Sequence, residues 1–225
     1  MKKNLLKNVR WLYSCLIFFI TACTANDPYR KINESAEEKQ QHTIKIENAY
    51  AAIYRNVGNI KSGYLVTRTG TDFTSETLRN LNRRDVSYSH CGIASIEHDS
   101  VFIYHALGGE WNPDQKIRRD FIVDFADPHN NKGIGIFSYN FTSGITDKLI
   151  GIVQHYYNEG LMFDMKFDLT TDDRMYCAEF VYKCLLQANN NKIHFQHSFI
   201  KDFEFIGVDD LFLQPKCELK EQIFF

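Results

Sequence analysis

Two β-rich runs, Val86 to Ile96 and Ser100 to Leu107, stand on either side of the short polar break Glu97-His98-Asp99. Such a pattern reads as an antiparallel hairpin, and it obliges the chain to build a sheet around it. If the turn is centred between His98 and Asp99, residues whose numbers sum to 197 pair across the hairpin. His105 then lies opposite Gly92, diagonal to His90 and on the same face of the sheet. A three-residue loop would shift the register by one and send the two histidines to opposite faces.

Around the hairpin, helices and strands alternate. Residues 43–57 place Ile44, Ile46, Ala49, Ile53 and Val57 at near-helical spacing, and residues 63–69 are a strand candidate. Thr74 to Arg84 reads as a polar helix capped by Thr74 or Ser75, and Lys132 to Tyr139 as a further strand. Thr146 to Gly160 is an amphipathic helix stopped by its glycine, and Met175 to Ala188 is another, ended by Asn189-Asn190-Asn191. The class expected is α+β, an antiparallel sheet packed against helices.

The start of the chain reads as an export signal rather than as structure. Lys2, Lys3, Lys7 and Arg10 precede a mostly apolar run from Trp11 to Ala22, too short to span a bilayer core. The run ends in Ile20-Thr21-Ala22-Cys23, which resembles the lipobox of bacterial lipoproteins and makes Cys23 the expected lipidation site. The expected organisation is a signal peptide over 1–22, a polar tether over 23–42 and a hydrolase domain over 43–225. The expected location is the extracytoplasmic side of the cell envelope, held to the membrane by lipid.

Loss of residues 1–22 leaves 22 Lys+Arg against 28 Asp+Glu. That acidic balance argues against a nucleic-acid partner. Beyond Cys23 the chain holds Cys91, Cys177, Cys184 and Cys217, with no C-x-x-C pair, so neither a zinc site nor a redox motif is indicated. The histidines share no ligand spacing, and no metal or other cofactor is expected.

Two segments carry candidate chemistry: Tyr88-Ser89-His90-Cys91-Gly92-Ile93, running on to Tyr104-His105-Ala106, and Tyr176-Cys177-Ala178-Glu179. A thiolate nucleophile is favoured by a helix N-terminus and by a neighbouring imidazolium. Cys177 falls in the first turns of its predicted helix, with Asp172 and Asp173 as plausible caps. A histidine on a rigid element, oriented through its far nitrogen by a third polar group, would complete such a site. Cys184 lies seven residues on, along nearly the same helical face, and reads as core; Cys91 must point away from His90 and reads as packing; Glu179 reads as solvent-facing or paired with a lysine.

SGYLVTRTGTDF, YSHCGI, IYHALGG and FDLTTDDRMYCAEFVYKCL together resemble the circularly permuted papain-like amidases of the YaeF/YiiX type, relatives of the NlpC-type cell-wall peptidases. The likeness covers roughly residues 60–190, with a weaker echo in FIGVDDLFLQP. In that family the His-bearing strand precedes the Cys-bearing helix, as it does here. The resemblance implies Cys177 as nucleophile, His90 as general base and His105 as the orienting residue, a position where some members carry Glu. It also implies a hydrolase, which the expected export and lipid anchor place at a membrane, acting on a cell-envelope substrate: first an amide bond of a peptidoglycan peptide, second a lipid acyl group. The rival expectation is an envelope lipoprotein that keeps the scaffold only for binding.

Overall fold

The computed structural model describes residues 35–109 and 112–225; the expected signal peptide and Cys23 lie outside them. The first helix among the described residues, α1 (Ala36–Val57), starts inside the stretch read as a tether. The reason is local: Ser35 Oγ accepts the Glu38 N–H at 3.1 Å, while the Glu38 carboxylate accepts the Ser35 N–H at 2.7 Å. This reciprocal pair is a capping box, and the acidic first turn of Glu37 and Glu38 suits the helix dipole. One compact unit runs from His42 to Phe225.

Its core is a six-stranded sheet in the order β4-β3-β2-β1-β5-β8, every neighbour antiparallel. The strands are β1 (Leu65–Gly70), β2 (His90–Glu97), β3 (Ser100–His105), β4 (Arg118–Phe121), β5 (Asn131–Ser138) and β8 (Glu218–Phe224). A separate hairpin joins β6 (Ser198–Ile200) to β7 (Phe203–Phe205). This is the α+β architecture expected, an antiparallel sheet packed against helices.

The period-two pleat of the strands divides the apolar residues into two cores. Cys91 and Ile93 of β2 and Tyr104 of β3 face one core, shared with Leu149 and Val153 of α4 (Ser143–Glu159) and Phe180 and Val181 of α5 (Cys177–Ala188). Ala94 and Ile103 face the other, with Ile53 of α1 and Ile122 and Phe125 of α3 (Ile122–Phe125). Among the described residues no helix is long and apolar enough to cross a membrane.

Several helix ends differ from expectation. α2 (Phe73–Arg79) is capped by Asp72, whose carboxylate accepts the Ser75 N–H at 2.9 Å. α4 begins at Ser143 after the extended Thr142, and Gly160 stops it in the left-handed region at φ +71°. α5 begins at Cys177, and its N-cap is the extended Tyr176 rather than Asp172 or Asp173. A sixth helix, α6 (Val208–Phe212), follows β7.

Candidate active site

The hairpin fixes the histidines. Ile93 pairs with Tyr104 and Glu97 with Ser100, so the turn is His98-Asp99, with φ of +48° and +63°. Both central residues lie in the left-handed region, as a two-residue turn matched to the right-handed strand twist requires. His90 and His105 therefore share a face, beside the Phe125 ring. Gly92 leaves the space between them: a Cβ there would sit 2.9 Å from His105 Cβ and 2.7 Å from the Tyr104 carbonyl oxygen.

The two rings meet edge to face, with His90 Nε2 and His105 Nδ1 2.8 Å apart. His105 Nε2 in turn lies 3.0 Å from Asp120 Oδ2 on β4. Arg118 holds that same carboxylate oxygen from 2.8 Å. The result is a line of four groups, Arg118, Asp120, His105 and His90, drawn from three adjacent strands. Sequence reasoning did not single out Asp120 or Arg118, because β4 (Arg-Arg-Asp-Phe) carries no apolar alternation to mark it as a strand.

Electrostatics keep both rings neutral. Burial, then the Arg68 guanidinium, then His105 and Arg118 push His90 well below the ordinary imidazole range. Burial likewise lowers His105 to about 4, against the upward pull of Asp120. Arg68 is the strand partner of His90 across β1 and β2; it donates to the Phe125 carbonyl at 2.9 Å and lies over that ring. Burial pushes the Asp120 carboxyl up, but hydrogen bonds from His105 and Arg118 outweigh it and hold the group below the usual carboxylate range.

The segment leading into His90 is tied down from the far end of the domain. Asn82 donates to the Tyr88 carbonyl at 2.8 Å and accepts the Val208 N–H at 3.0 Å. Asp209 of α6 accepts the N–H groups of Arg83, Arg84 and Asp85 through a single oxygen.

Cys177 is placed differently from the histidine pair. It is the first residue of α5, buried in the core that Cys91 faces, while His90 faces the other side of β2. The sulfur's neighbours are the Cys91 thiol, the N–H groups of Cys91 and Ala178, and its own N–H. No hydrogen bond joins it to either histidine among the described residues. Yet the Cys91 N–H belongs to the peptide that links Cys91 to His90, so the sulfur adjoins the backbone of the expected base. Donation from the Cys91 thiol, followed by those N–H groups, holds the Cys177 thiol below its ordinary range in spite of burial. The helix N-terminus contributes as expected, but the leading donor is a second thiol rather than an imidazolium. Cys91 is thus more than packing: burial and the neighbouring Cys177 push its own thiol well above the ordinary value, so it stays protonated.

The remaining cysteines sit away from this chemistry. Cys184 is fully buried, and burial raises it well above an ordinary thiol. Cys217 is raised to about 12 by burial. All four cysteines among the described residues are free. Glu179 corrects its expectation in part: it pairs with Lys183 at 2.9 Å but is completely buried, and it accepts the Tyr176 N–H at 3.2 Å, closing the start of α5. A narrow apolar cleft opens at Cys177, walled by Leu78, Leu81, Phe167, Phe205, Ile206 and Val208.

No family model matches the chain, and no curated protein matches it. A solved structure does: the metalloprotein YiiX of Escherichia coli O157:H7, with a TM-score of 0.60 over 73% of this chain and 98% of YiiX, at 14% identity. The fold is that of YiiX. At this identity the likeness to YiiX is one of fold, and the site has to be argued from the side chains described above.

Proposed function

We propose that this chain is a cysteine hydrolase of the permuted papain-like kind, carried on the YiiX-like fold and held to a membrane by lipid on Cys23. Cys177 attacks an acyl carbon as the thiolate. The resemblance gives His90 the transfer of the thiol proton to the leaving amine or alkoxide and His105 the orientation of His90, a step that requires the His90 ring to reach the sulfur's side of β2. The N–H groups at the start of α5 stabilise the oxyanion, and water then attacks the thioester to release the acid.

The observation that carries this reading is the lowered thiol of Cys177 lying against the Cys91 N–H, whose peptide leads directly to the hydrogen-bonded His90–His105 pair. Both nitrogens of His105 and one of His90 are engaged, so Nδ1 of His90 is the atom left to act as base. A binding module needs neither the relay nor the lowered thiol. YiiX carries the name metalloprotein, but no three His, Cys, Asp or Glu side chains converge as ligands among the described residues here. The groups present do not fit a metal, and no step is routed through one.

The substrate is an amide or ester of the cell envelope. A peptidoglycan peptide remains the reading that the sequence motifs support. The apolar walls beside Cys177 favour the other class, an apolar acyl chain, because a stem peptide would bring carboxylates against Leu78, Phe167 and Ile206. The test is to assay the parent chain, Cys177→Ala, His90→Ala and Cys184→Ala against muropeptides and against acyl esters of increasing chain length. Loss of the nucleophile should remove several powers of ten in rate, with Cys184→Ala close to the parent. A folded Cys177→Ala chain with the parent's activity would leave the binding module in front.

A further inference from the structure

Asp120 stands between Arg118 and His105 in the line, and its hydrogen-bonding role, like that of Arg118, has no freedom. An ionised carboxylate can only accept. Asp120 is kept ionised by Arg118, which approaches its Oδ2 at 2.8 Å and its Oδ1 at 3.3 Å. His105 Nε2, 3.0 Å from Oδ2, must therefore carry the proton. In a neutral imidazole the other nitrogen is then an acceptor. His105 Nδ1 faces His90 Nε2 at 2.8 Å, so His90 Nε2 must carry its proton and His90 Nδ1 must present the lone pair.

We infer that Asp120 is a positioning residue that sets the tautomer of His90 through His105, leaving Nδ1 of His90 as the base. The arrangement works only while both rings are neutral. Three features of the surroundings favour that state: Arg68 on β1, Arg118 on β4 and the Phe125 ring on α3. Without Asp120, nothing on β4 would distinguish the two tautomers of His105. The pair could then reverse, with His105 Nδ1 donating to His90 Nε2 and the His90 proton moved to Nδ1, where it blocks the base. Arg118 gains a meaning as well, since it holds the carboxylate in the orientation the relay needs.

The catalytic part of this inference rests on the hydrolase reading, whereas the tautomers can be observed without any substrate. The experiment uses the full chain labelled with ¹⁵N at histidine and long-range ¹H–¹⁵N spectra near neutral pH. In the parent, His90 and His105 should both appear as the Nε2–H tautomer. Asp120→Ala should mix or reverse the His90 signal, and Asp120→Glu, which keeps a carboxylate, should restore it at least in part. A His90 that carries its proton on Nδ1 in the parent overturns the inference. So does an unchanged His90 signal in folded Asp120→Ala, even if that variant melts earlier.

Turnover of p-nitrophenyl acyl esters supplies the second readout. Asp120→Ala should lower kcat by at least about tenfold, and by no more than the ~10⁴ that a general base supplies, with KM little changed. A chain whose Cys177→Ala variant keeps full activity, but whose tautomers follow Asp120, would refute the hydrolase reading and leave the tautomer assignment standing. If Asp120→Ala does not fold, the parent spectrum and Asp120→Glu still decide the matter.

Discussion

The thiol of Cys91 donates to the sulfur of Cys177, joining the middle strands of the sheet to the first residue of α5. Removing that donor by Cys91→Ala should raise the pKa of Cys177 toward the free thiol value of about 8.5. The rate of iodoacetamide alkylation against pH, with the label located by peptide mass, measures the shift. An unchanged profile would mean that the N–H groups of α5 lower the thiol without help.

The buried histidines make the fold sensitive to acid. An unfolded histidine takes up its proton near 6.5, whereas His105 does so only near 4, and burial holds His90 well below the ordinary range as well. Between those values the unfolded chain binds more protons, so stability falls as pH drops below about 6.5, by about 1.4 kcal/mol per pH unit for each histidine. Glu179 opposes this. Burial raises its pKa from 4.5 to about 7 although Lys183 pulls it back, so its protonated form stabilises the fold at low pH and that contribution fades as pH rises through this range. Two histidines outweigh one glutamate, and Glu179→Gln should steepen the acid loss. Urea denaturation at several pH values between 5 and 7 reads both slopes; a parent chain equally stable throughout would contradict neutral burial of the histidines.

Gly92 is the hinge point of the histidine pair. A methyl group there would lie 2.6 Å from Ile103 Cγ2 and 2.7 Å from the Tyr104 carbonyl oxygen, and backbone cannot step aside. Gly92→Ala is expected to cost roughly 1–3 kcal/mol and to push β3 away from β2 at His105. Thermal melting gives the first number, and loss of the His90–His105 hydrogen bond should show in the same histidine ¹⁵N spectra.

Attachment to a membrane should depend on Cys23. Cys23→Ser should abolish labelling with a radioactive fatty acid and move the chain from the detergent phase to the aqueous phase. A serine variant that labels and partitions like the parent would end the lipoprotein reading without touching the chemistry of Cys177.

What could be read from the sequence was local. The hairpin followed from two β-rich runs and a short polar break, but its register was open between two turns, and the two-residue turn is the one that puts His90 and His105 on one face. The stop at Gly160 followed from ordinary cap chemistry, whereas the caps expected for α5, Asp172 and Asp173, gave way to Tyr176. Asp120 was invisible because its role depends on β4 pairing with β3, and nothing in Arg-Arg-Asp-Phe announces a strand. The Cys91–Cys177 contact spans two distant elements and leaves no trace in spacing. Glu179 pairs with a lysine, one of its two expected fates, but the first turns of α5 are buried nearly all round, so it points inward to close the helix end instead of out to water. β8, with the sequence Glu-Leu-Lys-Glu-Gln-Ile-Phe, is mostly polar and becomes a strand by pairing with β5.

The order of the elements along the chain has a kinetic consequence. The relay from His90 to Asp120 is built from strands that are neighbours in both sheet and sequence, whereas Cys177 must close a loop of more than eighty residues before it reaches Cys91. Closing the longer loop costs more entropy, so local pairing tends to come first. Until α5 docks, its sulfur lacks the Cys91 donor and keeps the reactivity of an ordinary cysteine. A newly made or partly unfolded chain therefore carries a subdued thiol, and the reactive one exists only once folding is complete.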